Sequence, residues 1–397
     1  MKDIAIRIQS VKPSPTLALS QRADEMTALG KPVINLTVGE PDFDTPQNIK
    51  NAAIEALNKG QTKYTAVDGT KNLKQAIIKK LAQENKLEYQ AKQVIVSCGA
   101  KHSLFNLFAA LLNPGDEIII PAPYWVSYPD MAKIVDAVPV VINTSIESHF
   151  KMTAEQLEAA ITPKTRALVI NSPSNPTGIA YTQEELKKFA EVLLKHPNVI
   201  IISDDIYEHI LWSTPAFINI LNACPELYDR TVVINGVSKA YAMTGWRIGY
   251  AAGPEKLIAA MKILQSQSTS NPCSIAQAAA VEALNGDQSS ISLMARAFKA
   301  RHDFILPELQ RMPGVKCLPS DGTFYSFPCV QDVLYQSTTM TSDLEFSDYL
   351  LQEANLAVVP GSAFGTPGYI RLSFATSTEN LEEAMRRMGE AIRKLIK

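Results

Sequence analysis

Two basic residues, Lys239 and Arg247, stand in a stretch of sequence that carries almost no other charge. Residues 232–250 read VVINGVSKAYAMTGWRIGY, and no acidic residue occurs from Asn235 through Ala252. Lys239 therefore has no local ion-pair partner. A lysine in partly desolvated surroundings has a lowered pKa, and its free amine can attack a carbonyl carbon to form a Schiff base. This pattern makes Lys239 a candidate nucleophile.

Arg247 lies eight residues further along, within the otherwise apolar run 246–252. A guanidinium cannot lose its charge, so burial of this side chain predicts a bound anion, and a phosphate suits its fork of donors. An attacking amine beside a phosphate-binding arginine suggests pyridoxal 5'-phosphate, which is an aldehyde that carries a phosphate. In isolation, a solvated lysine and a surface arginine explain the two residues better, so the rest of the chain has to decide.

Length and composition indicate an ordinary globular protein with more than one domain. A chain of 397 residues suits one large and one smaller domain. A net charge of -2 offers no general attraction for nucleic acid or for an anionic membrane. No apolar run reaches the roughly 18 residues of a membrane-spanning helix, and charges interrupt the N-terminal segment. We therefore expect a cytoplasmic protein.

The cysteines and histidines form no disulfide or metal pattern. The five cysteines are scattered without a C-x-x-C pair and are odd in number, which favours a reducing compartment with free, mostly buried thiols. The five histidines show no ligand spacing. We expect no metal site.

Between residues 94 and 267, apolar runs of strand length alternate with longer amphipathic segments. This pattern predicts an α/β fold with a mostly parallel, seven-stranded sheet that helices cover on both faces. The predicted strands are Val94–Ser97, Glu117–Pro121, Val138–Ile142, Arg166–Asn171, Val199–Ser203, Thr231–Asn235 and Ile248–Ala252. The predicted helices are Lys101–Leu112, Ala154–Ile161, Gln183–Lys195 and Pro254–Gln267.

The flanking sequence predicts a smaller α+β domain. After a long helix at Ser292–Gln310, the predicted order is two strands, a helix and two strands, at Lys316–Leu318, Gly322–Phe327, Ser342–Glu353, Ala357–Val359 and Tyr369–Phe374. We expect residues 1–48 to form an N-terminal arm and part of the small domain, residues 49–290 the large domain, and residues 291–397 the small C-terminal domain.

Chemically versatile residues follow the predicted strands directly, where parallel sheets bind ligands. The turn 97–101 places a glycine before a helix and could cradle a phosphate, although it lacks a dinucleotide or ATP motif. Trp125 could stack on a flat ring or simply cap the core. Asn175, in the proline-rich loop 171–178, could offer its amide to a ligand or only shape the turn.

The buried run 199–203 leads into Asp204, Asp205 and Tyr207. Adjacent carboxylates repel each other and need a cation. A protonated pyridine nitrogen is such a cation, and the Tyr207 phenol could bond the phenolic oxygen of the same ring. A metal ion is the alternative, but we expect no complete ligand shell there. Arg371, in an apolar strand, also needs an anion, either a substrate carboxylate or an interdomain salt bridge.

With these residues in place, the chain resembles the fold-type I pyridoxal-phosphate aminotransferases and, among them, the bacterial aspartate aminotransferases of class I. The resemblance covers essentially the whole chain and rests on seven motifs in family order: TVGEPDFDTP, TKYTAVDG, PYWVSYP, NSPSNPTG, SDDIYEHI, SKAYAMTGWRIGY and YIRLSFATS. It implies a homodimer with shared active sites.

The resemblance also implies roles at matching positions. Lys239 would hold the cofactor aldehyde and move a proton between the substrate α-carbon and the cofactor. Asp204 would keep the pyridine nitrogen protonated, so that the ring withdraws electrons. The remaining implied contacts are Tyr207 and Asn175 with the phenolic oxygen, Trp125 with the ring face, Gly99, Ala100, Lys101, Ser238 and Arg247 with the phosphate, and Tyr64 with the phosphate of the neighbouring subunit.

For the substrate, the resemblance implies that Arg371 binds the α-carboxylate and that Gly39 closes over it. Further implied substrate contacts are Trp125, Asn175 and, for the distal carboxylate, Lys101 with Ser14 and Thr16. We therefore expect transfer of the amino group of L-aspartate to 2-oxoglutarate. Relatives with a similar N-terminal arm also use prephenate, and Lys12 leaves that activity open.

Other functions are weaker alternatives. A lyase or an aromatic aminotransferase would share the fold. A non-catalytic regulator would carry an added DNA-binding module, for which we expect no room before Val33, and a nicotinamide dehydrogenase would need the missing dinucleotide motif. We therefore expect amino acids and 2-oxo acids as small-molecule partners, and we expect the protein to bind neither nucleic acid nor a membrane.

Overall fold

The strands and helices lie close to where hydrophobic periodicity predicts them. The computed structural model describes residues 5–9, 11, 15–213 and 217–396. The strands are β1 Ile34–Asn35, β2 Val94–Ser97, β3 Glu117–Ala122, β4 Val138–Asn143, β5 Thr165–Asn171, β6 Ile200–Asp204, β7 Thr231–Gly236, β8 Gly249–Ala252, β9 Tyr325–Ser326, β10 Leu356–Ala357, β11 Val359–Pro360 and β12 Ile370–Ser373.

The helices were predicted less completely than the strands, because α6, α9, α11 and α13 were missed. The helices are α1 Ile6–Gln9, α2 Pro15–Ala28, α3 Gln47–Asn58, α4 Lys71–Glu84, α5 Ala100–Leu111, α6 Ser127–Ile134, α7 Ala154–Ala160, α8 Gln183–Lys195, α9 Ile220–Ala223, α10 Glu255–Ser266, α11 Ser274–Asn285, α12 Ser289–Gln310, α13 Gln331–Gln336, α14 Asp343–Ala354 and α15 Thr378–Leu395. Among the described residues, no helix has the length and apolar character needed to cross a membrane.

The central sheet confirms the predicted α/β architecture. Its seven strands run in the order β2-β8-β7-β6-β5-β3-β4, and only β8 is antiparallel to its neighbours. Both faces are buried: Val96, Leu168 and Ile201 pack in one hydrophobic cluster, whereas Ile95 and Ile202 pack in another. This explains why the strand sequences are continuously apolar.

A third hydrophobic cluster joins the beginning and the end of the chain. Leu36 packs with residues of α12, α14 and α15, and β1 pairs in parallel with β10. The predicted strand 322–327 is reduced to β9, and the predicted strand 316–318 to a single bridge between Lys316 and Cys329. Both predicted strands were therefore too long.

The sheet register places polar residues at one edge. Asn171, at the end of β5, pairs with Asp204, at the end of β6, and Asp204 pairs in turn with Ile234 of β7. The carboxyl ends of three adjacent parallel strands therefore meet at Asp204. Ligands bind at this edge in open α/β sheets.

Candidate active site

A cavity of about 390 Å³ opens at this edge of the sheet. It brings together eleven residues that sequence reasoning had selected. They are Gly39, Ala100, Lys101, Trp125, Asn175, Asp204, Tyr207, Ser238, Lys239, Arg247 and Arg371. Residues separated by more than 300 positions in the chain thus line one cavity.

Lys239 presents its amine to the cavity from the segment that follows β7. Its Nζ donates a hydrogen bond to the carbonyl of Gly39 and lies 5.6 Å from the ring centre of Tyr207. Burial lowers the pKa of Lys239 to about 8, and the positive charge of Arg371 acts in the same direction. Near neutral pH, a larger fraction of this amine is therefore uncharged than for an ordinary lysine.

Asp204 is a buried carboxylate whose pKa is raised, whereas that of Lys239 is lowered. Burial raises its pKa to about 6, although the Tyr128 hydroxyl, which donates a 2.6 Å hydrogen bond to Oδ2, opposes the increase. Asp205 does not line the cavity. Its carboxyl accepts hydrogen bonds from Ser203 and Asn219, at 2.7 and 2.5 Å, and burial followed by Glu208 holds its pKa well above the ordinary range. The two carboxyls therefore do not share a partner.

Arg371 is buried with donors left for an anion. Its Nη1 donates to Asn175 Oδ1 at 2.9 Å and its Nη2 donates to the carbonyl of Thr37 at 2.6 Å. Its Nε has no hydrogen-bond partner among the residues that the structure describes. The guanidinium lies over the ring of Tyr325, with Cζ 4.4 Å from the ring centre. An orphaned donor on a buried cation calls for a ligand with negative charge.

The beginning of α5 forms another corner of the cavity. Gly99 precedes the helix with φ +88°, and a Cβ there would lie 2.4 Å from Nη2 of Arg247. A Cβ at Gly249 would lie 2.1 Å from the amide nitrogen of Ala100. The first amides of a helix lack intrahelical partners, and the helix dipole favours negative charge there. Glycine at these two positions therefore leaves room for the Arg247 side chain and for the backbone of Ala100.

The expected burial of Arg247 was wrong. The side chain is exposed, since Arg247 adopts a left-handed conformation with φ +55° at the end of a single 3₁₀ turn. Its guanidinium donates to the carbonyls of Thr244, at 2.8 Å, and Cys98, at 3.4 Å. It lies at the mouth of the cavity beside the start of α5. This position beside the start of α5, rather than burial of the side chain, favours a bound anion at Arg247.

Aromatic side chains also line the cavity. Trp125 is half-buried, with the Lys101 Nζ 4.9 Å from its ring centre, and it packs edge-on against Tyr128. Tyr207 is buried, and its hydroxyl lies 2.9 Å from that of Tyr325. These rings leave a flat, apolar wall beside the polar groups.

Two predicted site residues, Gly99 and Tyr64, are described but do not line the cavity. Gly99 directly precedes α5, and Tyr64 is 91% exposed. Ser14 lies outside the described residues, as does Lys12, and the side chain of Thr16 is likewise not described. Their implied contacts remain predictions.

Two residues that could bind a metal, Glu208 and His209, follow Asp205 closely, although we expected no complete ligand shell there. Glu208, His209 and Glu84 bring possible ligand atoms within 4.8 Å of one another. However, the Lys80 ammonium lies inside this group, bonded to Glu208 and to Asn85 Oδ1 at 2.6 Å. A lysine already supplies the positive charge that the carboxylate needs.

Sequence reasoning missed Tyr128, Asn171, Tyr325 and Glu40 as cavity residues. Tyr128 stands within PYWVSYP and Glu40 within TVGEPDFDTP, so the motifs contained a signal for both. Tyr325 had none beyond a polar atom in an apolar run, because a tyrosine in such a run is as often a core residue. The hydrogen bond between the hydroxyls of Tyr207 and Tyr325, together with the guanidinium of Arg371 over its ring, makes Tyr325 part of the site.

Known proteins share this architecture over the whole chain. The family model for aminotransferase class I and II matches residues 31–388. An aspartate/prephenate aminotransferase of Nitrosomonas europaea is 55% identical, over 97% of this chain and 98% of its own length. An aspartate aminotransferase of a Bacillus species, strain YM-2, is 50% identical over 99% of this chain and all of its own length.

Solved structures agree in fold. The aspartate aminotransferase of Rhizobium meliloti superposes with a TM-score of 0.96 at 48% identity, covering both chains completely. The aspartate aminotransferase of Thermus thermophilus with maleate superposes with a TM-score of 0.93 at 40% identity, covering 98% of this chain and all of the other. One cavity holds a lysine amine, a buried carboxylate and a buried arginine. The matches over nearly the whole chain show that it belongs to the class I and II aminotransferase family.

Proposed function

We propose that this aminotransferase uses pyridoxal 5'-phosphate to move the amino group of L-aspartate to 2-oxoglutarate, which yields oxaloacetate and L-glutamate by a ping-pong cycle. One observation carries the proposal: the Lys239 amine, with its lowered pKa, faces the same cavity as the Asp204 carboxylate and the Arg371 guanidinium. This set supplies a nucleophile, an anion and a cation at separate positions.

The residues present fit this cofactor. At the start of α5, Gly99 leaves room for Arg247 and Gly249 leaves room for the backbone of Ala100. A phosphate there suits the helix N-terminus, Ser238 and Arg247. The buried Asp204 carboxyl suits a protonated ring nitrogen, which would favour its ionised form. Trp125 offers a ring face for stacking. When bound, pyridoxal phosphate supplies an aldehyde for the amino group and a ring that withdraws electrons from the α-carbon.

The side chains then divide the work. Lys239 Nζ would hold the aldehyde and, once the substrate amino group has displaced it, the freed amine would carry the proton that leaves the α-carbon. Tyr207 donates its phenol proton to the phenolic oxygen of the cofactor. Asn175 accepts from Arg371 through Oδ1, so its Nδ2 remains as a donor to the same oxygen. Asn175 thereby couples the substrate anchor to the cofactor.

Arg371 holds the α-carboxylate, to which it offers Nε and its remaining Nη protons. Gly39, hydrogen-bonded to Lys239, closes over the substrate as the small domain moves. The distal carboxylate binds Lys101 together with Ser14 and Thr16. Recognition of two carboxylates favours a dicarboxylic amino acid.

We further infer a cytoplasmic homodimer. Within each subunit, the boundaries between the domains lie at residues 48/49 and 290/291. The separate cluster that joins Leu36 to α12, α14 and α15 supports the division. The 91% exposed Tyr64 supports a shared site, because it is free to reach the phosphate of a second subunit. All five cysteines are free, which fits a reducing compartment, although only Cys224 and Cys317 are buried.

The test is a panel of amino donors with 2-oxoglutarate, measured together with the visible spectrum. Purified protein loaded with pyridoxal phosphate should show a visible band that aspartate removes, and aspartate should be the best donor. Lys239→Ala should lose turnover, with Lys262→Ala as a surface control. A preference for tyrosine or alanine would contradict the dicarboxylate assignment.

Prephenate is a second candidate acceptor. Relatives that are 50–55% identical carry the name aspartate/prephenate aminotransferase. The same panel should include prephenate as amino acceptor with aspartate as donor. Turnover of prephenate at a rate comparable to that of 2-oxoglutarate would establish the broader activity.

A further inference from the structure

Tyr325 is a fully buried side chain that contacts several parts of the cavity at once. Its hydroxyl lies 2.9 Å from the Tyr207 hydroxyl, and its ring lies beneath the guanidinium of Arg371. A Cβ at Gly39 would lie 2.8 Å from the same hydroxyl. The side chain therefore reaches the cofactor side, the substrate side and the Gly39 loop.

The ring of Tyr325 fixes the plane of Arg371. The guanidinium Cζ lies 4.4 Å from the centre of Tyr325 and 5.0 Å from that of Phe364. Asn175 and Thr37 fix two of the nitrogens by hydrogen bonds in the guanidinium plane. An aromatic face attracts a cation most strongly when water is excluded, as it is here. The ring thus holds the fork ready for a carboxylate.

The hydroxyl of Tyr325 has a different consequence. Either phenol can be the donor in the bond between Tyr325 and Tyr207. Tyr207 has one proton, so when it donates that proton to a ligand oxygen, its own oxygen is left to accept from Tyr325. A bond accepted by Tyr207 polarises its O–H group and strengthens the bond that it donates.

We propose that Tyr325 is a positioning residue with two separable roles: its ring orients Arg371 for the substrate carboxylate, and its hydroxyl directs the Tyr207 proton toward the cofactor. The inference rests on the proposed function, since it assumes pyridoxal phosphate and a carboxylate substrate in this cavity.

Two variants separate the roles. Tyr325→Phe keeps the ring and loses the hydroxyl, so the pH midpoint of the visible band should move upward by about half a unit, because a weaker bond from Tyr207 leaves more negative charge on the phenolic oxygen. The dissociation constant for maleate, a non-reactive dicarboxylate, should stay within about twofold. Tyr325→Leu loses the ring as well, so maleate should bind roughly 3- to 30-fold more weakly.

A double-mutant cycle completes the experiment. In a Tyr207→Phe background, Tyr325→Phe should cause no further shift of the band, because its route of action is gone. Tyr335→Phe, on a 78% exposed tyrosine, is the matched control and should change neither measurement. Thermal unfolding of each variant reports whether it folds. If Tyr325→Leu does not fold, Phe364→Leu tests the other ring that contacts the Arg371 guanidinium.

The outcomes distinguish failure of the proposed function from failure of the two roles of Tyr325. A wild-type protein without a visible band or without maleate binding contradicts the proposed function itself. If the wild type shows both, an unmoved band in Tyr325→Phe overturns the role of the hydroxyl, and unchanged maleate binding in the ring variants overturns the role of the ring.

Discussion

The hydroxyl of Tyr128 donates a 2.6 Å hydrogen bond to the carboxylate of Asp204, and both side chains are buried. This bond favours the ionised carboxylate, whereas burial disfavours it, and the pKa of about 6 reflects the balance. Asp204 can bind a cationic ring nitrogen only when it is ionised. Tyr128 therefore extends the pH range of cofactor binding downward.

Replacement of Tyr128 by phenylalanine should raise the pKa of Asp204 further. The dissociation constant for pyridoxal phosphate at pH 7 should then rise by roughly 2- to 15-fold, and the pH below which binding weakens should move upward. Fluorescence titration of the cofactor-free protein between pH 5 and pH 9 measures both. Tyr335→Phe serves as the control. An unchanged midpoint would show that the bond to Asp204 has no such effect.

The lowered pKa of Lys239 predicts the pH dependence of cofactor capture. Only the free amine attacks the aldehyde, and for a pKa of about 8 the free fraction is about one half at pH 8 and about 1% at pH 6. The rate at which the visible band forms in cofactor-free protein should therefore rise about tenfold per unit up to pH 8 and then level off. A midpoint near 10.5, the ordinary value for lysine, would contradict this expectation.

Arg371 should influence that midpoint through its charge. Its guanidinium helps to lower the pKa of Lys239, so Arg371→Met should move the rate profile to higher pH. Arg296→Met, on an exposed arginine of α12, is the control and should leave the profile in place.

Arg247 and Lys239 should differ in what their loss removes. Arg247 lies at the mouth of the cavity beside α5, so Arg247→Ala should weaken cofactor retention by about tenfold or more while changing kcat at saturating cofactor far less. Lys239→Ala should lose turnover at any cofactor concentration. Dialysis followed by assay with added cofactor separates the two effects. If Arg247→Ala kept its cofactor but lost turnover, its assigned role would be wrong.

The residues that were selected from the sequence and that line the cavity share a simple local signature. Lys239, Asp204 and Arg371 are charged residues within or shortly after apolar strands. Burial of a charge in such a place demands a partner, so each residue pointed to a ligand. The parallel strands β6 and β7 bring Asp204 and Lys239 to one edge of the central sheet, whereas Arg371 lies on β12 of the separate three-stranded sheet, which the local pattern does not relate to this edge.

Other features depend on packing between distant segments. The partnership of Tyr325 with Tyr207 joins positions 118 residues apart, and nothing near either residue specifies it. The exposure of Arg247 depends on the left-handed turn that ends at that residue, whereas its neighbours suggested burial. Helix α11 was missed because its many alanines give little contrast between an apolar and a polar face.

The buried ion pair between Lys80 and Glu208 should matter for stability. Lys80→Met removes the ammonium from the buried Glu208, which keeps hydrogen bonds from Asn85 and Asn235 and the imidazole of His209 at 3.9 Å. The free energy of unfolding should fall by roughly 3–5 kcal/mol. Lys80→Met combined with Glu208→Leu should cost less than Lys80→Met alone, because no buried charge remains. Urea denaturation at pH 7 measures the difference, with Lys79→Met as the exposed control.

Acid should reveal the same pair. Burial alone would raise the pKa of Glu208, but Lys80 outweighs it and holds the pKa at about 2, below the ordinary 4.5. The stabilisation is therefore fully present above pH 4.5 and is lost as the pH falls toward 2. Lys80→Met removes the cause of the lowered value, so the variant should lose less stability than the wild type on going from pH 5 to pH 3. An equal loss in both proteins would contradict this assignment.

Tyr64 offers a test of whether the active sites are shared between subunits. It is 91% exposed and lies outside the cavity of its own chain. In a twofold dimer with shared sites, Tyr64 of one subunit serves Lys239 of the other. Tyr64→Ala should then weaken cofactor retention, whereas Lys239→Ala removes the nucleophile.

A heterodimer that carries one of these substitutions in each subunit makes the distinction sharp. If sites are shared, both lesions fall in one site and the other site is intact, so the heterodimer, isolated with two affinity tags, should have about half of the wild-type activity at limiting cofactor. If Tyr64 acts within its own subunit, the only site with Lys239 lacks Tyr64, and the heterodimer should have about half of the activity of the Tyr64→Ala dimer. A heterodimer with Tyr335→Ala in place of Tyr64→Ala should be half-active in either case, which controls for subunit exchange and tagging.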